Sequence, residues 1–82
     1  MLARESVVLT HAVSGHPVCC PYRASLLTGQ YDVRHGVIIN DVPVAPGAVG
    51  LGEAFGSAGY DNAYVGKWHA HGSPEGERSH GW

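Results

Sequence analysis

Two apolar periods alternate along this chain. Residues 7–13, Val-Val-Leu-Thr-His-Ala-Val, are a largely β-branched run of strand length closed by Ser14 and Gly15, which predicts a strand. Residues 22–28 set Ala24, Leu27 and Leu26 toward one side, the spacing of a helix with a buried stripe. Pro21 suits the first position of that helix, where a missing N–H costs nothing, and Gly29 suits its C′ position. The helical period returns at 51–58, where Leu51, Ala54, Phe55 and Ala58 share a face and Gly59 ends the element. Residues 60–66 read as a second strand centred on Ala63, Tyr64 and Val65. Residues 30–47 read as loop around a short apolar piece at Val37-Ile38-Ile39, because Pro43 and Pro46 interrupt any long element. Residues 2–6 resemble the last turn of a helix, 16–20 a loop, and the polar, glycine-rich stretch 70–82 is expected to be loop or disorder. The order strand, helix, long loop, helix, strand is that of an α/β protein. Two strands cannot form a covered parallel sheet, so the sheet is expected to be incomplete and the chain to be a fragment of a larger α/β domain.

Composition narrows the picture. With 82 residues, 12 of them glycine and 5 proline, the chain has room for one small domain and little continuous core. Five Lys and Arg and a formal charge of −2 exclude the basic footprint of a nucleic-acid binder or of a protein drawn to anionic membranes. No stretch approaches the roughly 20 apolar residues of a membrane helix. The first six residues lack the charged-then-apolar layout of a signal peptide, so the compartment stays open. The two cysteines, Cys19 and Cys20, are adjacent and have no third to pair with, which removes a disulfide framework.

Candidate chemistry is concentrated in residues 17–29. Cys19 stands where a helix begins, with Arg23 on its first turn, and helix N–H groups beside a cation make an anion pocket. A structural cysteine beside a surface arginine is the competing reading of the same residues. Cys19-x-Pro21-x-Arg23, continued by Ala24-Ser25-Leu26-Leu27-Thr28-Gly29, closely resembles the signature of the type I sulfatases, members of the alkaline-phosphatase-like superfamily. Gly29-Gln30-Tyr31 and Arg34-His35-Gly36-Val37 are similar to its continuation. Ala58-Gly59-Tyr60-Asp61 and Tyr64-Val65-Gly66-Lys67-Trp68-His69 resemble a second sulfatase block, so residues 66–69 join 17–29 in the order of that family.

The resemblance implies an alkaline-phosphatase-like α/β fold, with residues 1–82 a part of the N-terminal catalytic domain. It implies that a maturation enzyme converts Cys19 to formylglycine, whose hydrate attacks the sulfur of a sulfate ester. Arg23 would hold the formylglycine, Lys67 would contact formylglycine and sulfate, and His69 would hydrogen-bond the hydrate and assist elimination. Lys67 and His69 lie two apart, so an extended backbone would aim both the same way. Tyr22 stands where the family most often has a small residue, which leaves room for the phosphonate monoester hydrolases and phosphodiesterases of the same superfamily.

Sulfatases also hold a divalent cation, usually calcium, on hard oxygens. By resemblance Cys19, as formylglycine, is one ligand, but the Asp-Asp and Asp-Asn pairs that supply the others have no counterpart here. Asp32, Asp41, Glu53, Asp61, Glu75 and Glu77 are scattered and read as solvated or capping residues. His11, His16, His35, His71 and His80 form no tight zinc spacing with Cys19 and Cys20. The chain by itself is therefore expected to be inactive, either the nucleophile-bearing part of a sulfatase or a non-catalytic remnant.

Overall fold

The computed structural model describes residues 2–70 and 80–82. After a 3-10 turn at Leu2–Arg4 come three helices, α1 Cys19–Thr28, α2 Asp32–His35 and α3 Leu51–Ser57. The radius of gyration is 14.1 Å, against about 12 Å for a tightly packed domain of this length, so the chain is loosely built.

Helix α1 organises the rest. Cys20, Pro21, Ala24 and Leu27 are buried, a stripe of helical period that faces two neighbours at once. Cys20 and Ala24 pack on Val37, with Val44 against them, while Leu27 packs with Trp68 and Ala70 and receives Trp82. Leu26, expected on the buried side, is 58% exposed, because the stripe is narrower than the sequence suggested. The helix begins at Cys19, so Pro21 is its third residue and still lies in the turn where an N–H has no helical partner. At the other end Gly29 adopts φ 67° and returns its N–H to Ser25.

The stretch expected as loop at 30–47 contains α2. Gly36, at φ 80°, closes this single turn and bonds back to Asp32. His35, at its end, is fully buried. Its Nδ1 accepts the Val37 N–H at 3.1 Å, so Nε2 carries the proton and donates to the Ser25 hydroxyl at 2.9 Å. That imidazole ties α2 to α1, a packing role that its sequence context did not reveal.

Helix α3 forms close to where its period predicts. The Gly50 N–H donates to the Glu53 carboxylate at 2.8 Å at its start. Its end is a Schellman closure: Tyr60 N–H to Phe55 O at 3.1 Å, Gly59 N–H to Gly56 O at 3.0 Å, and the Phe55 and Tyr60 rings edge to face at 5.4 Å. The expected apolar face is not the buried one. Leu51, Ala54, Phe55 and Ala58 are exposed, whereas Gly52 is buried. A Cβ there would collide with the His80 carbonyl and the Trp82 ring, and the Asn62 amide donates to both Gly52 O and Gly81 O at 2.8 and 2.9 Å. Within the stretch 70–82, Ala70 is buried and His80 to Trp82 pack on α3. Residues 71–79 lie outside the described residues.

No strand forms among the described residues, including 7–13 and 60–66. A strand satisfies its backbone only through a neighbour, and these two segments do not pair with each other. Their apolar side chains stand in solvent, with Val7, Val13 and Val65 at 87%, 92% and 95% exposed.

Candidate functional site

The first turn of α1 forms one wall of an open groove of about 300 Å³, lined by Ser14, Cys19, Tyr22, Arg23 and Lys67 among others. Cys19 is an exposed free thiol at the first helical position. Arg23, one turn later, donates from its guanidinium to the Lys67 carbonyl, and the Tyr64 hydroxyl donates to the same oxygen at 2.9 Å. The Arg23 bond ties residues 64–67 to α1 and so brings the two sequence blocks together, while the Tyr64 bond fixes the turn within that segment. No carboxylate pairs with Arg23 or Lys67 among the described residues, so both cations keep their charge for something else. A thiol, two cations and a helix start on one groove suit an anionic group.

His69 takes a different direction from Lys67. Its backbone is left-handed at φ 40°, which breaks the alternation that an extended chain would have imposed. Its Nε2 stands 3.5 Å from Asp41 Oδ1, and one ligand atom each from Cys20, Asp41 and His69 lie within 4.8 Å of one another. The structure therefore brings Cys19, Arg23 and Lys67 together and sets His69 beside the neighbouring cysteine. Asp41, expected to be solvated or capping, has a carboxylate 75% exposed, and its nearness to His69 and Cys20 is what the sequence did not reveal. The one local signal was the Asn40-Asp41 pair, since these two residue types tolerate a left-handed turn, and Asp41 has φ 63°.

A second cavity of about 320 Å³ lies at the far end of α1 and is lined by His16, Ser25, Tyr31 and Asp32 among others. His16 Nδ1 and Asp32 Oδ2 are 2.8 Å apart. That hydrogen bond, helped by the Val33 N–H, holds the Asp32 carboxyl below its ordinary value. Burial pushes the His35 imidazole below its ordinary value, and the Asp32 charge opposes this only in part.

Groove and helix together place a cysteine and two cations at the start of α1. The chain belongs to the sulfatase family, whose model matches residues 1–81. It is 48% identical over 71 residues to an ulvan-active sulfatase of Formosa agariphila, a match covering 87% of this chain and 14% of that relative. It is 47% identical over 74 residues to an endo-4-O-sulfatase of Bacteroides thetaiotaomicron, covering 83% of this chain and 15% of the relative. A multifunctional alkaline phosphatase superfamily protein, PehA, of Trinickia caryophylli is 40% identical over 65 residues, covering 79% and 13%. The matches thus span only about a seventh of the relatives' own length. No solved structure matches the chain significantly. Family membership carries the alkaline-phosphatase-like α/β fold.

Proposed function

We propose that this chain carries the nucleophile of a sulfate-ester hydrolase, and that Cys19 is the residue a formylglycine-generating enzyme modifies. The observation that supports it is the shared groove of Cys19, Arg23 and Lys67. Once formed, the hydrated aldehyde supplies a hydroxyl nucleophile toward the sulfur. Arg23, anchored on the Lys67 carbonyl, holds its positive charge beside position 19. The flexible stem of Lys67 lets its ammonium follow the sulfate oxygens as charge grows on them. His69 is assigned as a hydrogen-bonding partner of the site on its sequence block. Residues 7–13 and 60–66 are assigned as strands of the family's sheet.

Calcium requires about six to eight oxygen ligands. Around Cys19 the groove offers the Ser14 and Tyr22 hydroxyls beside two cations and no carboxylate, so the described residues do not fit that ion and no step is assigned to it.

Co-expression with a formylglycine-generating enzyme, followed by mass spectrometry of the peptide holding Cys19, tests the reading. The expected result is loss of the sulfur and two hydrogens from Cys19 with gain of one oxygen, while Cys20 stays unchanged and Arg23→Ala abolishes conversion. A Cys19 thiol that survives an active maturation system overturns it. A second reading, hydrolysis of phosphonate monoesters or phosphodiesters, is favoured by Tyr22 on the groove wall and by the likeness to PehA.

A further inference from the structure

We propose that Cys20, Asp41 and His69 form a site for a thiophilic divalent transition metal, with Zn2+ as the expected occupant. The three residues come from distant segments, tied to the first turn of α1 or to Arg23 one turn further on. Cys20 lies on that turn, and its N–H donates to Asn40 Oδ1 at 3.0 Å, which brings Asp41 alongside. The bond from Arg23 to the Lys67 carbonyl brings residues 67–69 to the same place. The ligand atoms lie within 4.8 Å of one another, and His69 Nε2 is already 3.5 Å from Asp41 Oδ1. Around a tetrahedral zinc with bonds of about 2.0–2.3 Å, ligand atoms are roughly 3.3–3.8 Å apart, so a small contraction completes the site.

The His69 ring is engaged on one side only. Nδ1 is buried with no hydrogen-bond partner among the described residues, and Nε2 only reaches the edge of hydrogen-bond range to Asp41. One thiolate, one imidazole and one carboxylate select zinc over calcium or magnesium, which want oxygen alone. The fourth position would remain for water. Access is from the Asp41 side, whose carboxylate is 75% exposed, while Cys20 is wholly buried. On binding, the Cys20 thiol releases its proton to solvent and the sulfur–metal bond replaces it. The site does not need the modification of Cys19, but it takes the His69 imidazole that the proposed function places beside formylglycine, so metal binding and that role are alternative states of this residue.

The experiment is titration of the whole chain, with Cys19 unmodified, by Co2+ followed through the near-ultraviolet thiolate-to-metal band. The expected result is saturation at one Co2+ per chain, displacement by Zn2+ and indifference to excess Ca2+. Cys19→Ala keeps the band and Cys20→Ser loses it. Asp41→Asn, at an exposed position that folding tolerates, weakens binding at least by the about 10–100-fold that even outer-shell partners of a metal are worth. No band in the unsubstituted chain overturns the proposal. So does a band that follows Cys19 in place of Cys20, or Co2+ affinity unchanged in Asp41→Asn.

Discussion

Helix α1 and the segment 7–13 are both rich in apolar residues, yet they end in opposite environments. The helix buries Cys20, Pro21, Ala24 and Leu27, while Val7 and Val13 stand 87% and 92% in solvent. The difference is one of backbone accounting. A helix satisfies its own N–H and C=O groups and needs only a partner for its apolar stripe, which Val37 and Trp68 provide from either side. A strand needs another strand before its side chains have a surface to share. Residues 60–66 make the same point, with Val65 at 95% exposure although the sequence there is typical of a strand.

The sharpest test of that contrast is truncation on the two sides of it. Leu27→Ala removes side-chain volume between α1 and Trp68 and is expected to cost about 2–5 kcal/mol, read from the urea midpoint. In a chain with so little core this is enough to unfold most of the population. Ser25→Ala leaves the buried Nε2–H of His35 without an acceptor and is expected to cost about 1–3 kcal/mol, measured the same way.

Acid gives a smaller, graded effect. His35 has a folded value below its ordinary 6.5, so below that pH the unfolded chain takes up a proton that the fold refuses. The stability it contributes is complete above 6.5 and is lost as pH falls through the lowered value. Asp32 acts in a second window: its folded value is below 3.8, so its contribution is present above 3.8 and disappears as pH falls through the lower value. Urea midpoints measured between neutral pH and about pH 3 should therefore fall in two steps, and Asp32→Asn should remove the lower one. The smallest effect belongs to the other side of the contrast. Val7→Ala and Val13→Ala are expected to change the midpoint by no more than about 0.5 kcal/mol, and a loss as large as that of Leu27→Ala would mean that residues 7–13 are packed after all.

Much of the helical structure was legible because its causes are local. Gly29 and Gly59 stop α1 and α3 by accepting positive φ, and three or four apolar positions at helical spacing declare each element. The buried faces were not equally legible. Leu51 and Phe55 mark an apolar side of α3, but the chain at 80–82 lies on Gly52 instead, because only a residue without Cβ lets two backbones approach so closely. Turn α2 was hidden by its length: four residues carry no period, and its anchor, the His35 imidazole, is held by Ser25 ten positions earlier. Of the candidate site, Cys19, Arg23 and Lys67 were readable from their two blocks, and the fold puts them on one groove. The meeting of Asp41 with His69 and Cys20 was not readable, since separations of 21 and 28 residues along the chain leave no local trace.

By itself the sequence determined where α1 and α3 stop, that a helix opens beside the cysteine pair, and the family, because caps, periods and contiguous blocks are properties of neighbours along the chain. Tertiary structure alone decided which faces are covered, which histidine is neutral and buried, and which of two adjacent cysteines faces a carboxylate and an imidazole. Those outcomes depend on how distant segments share space, and no stretch of sequence contains both partners.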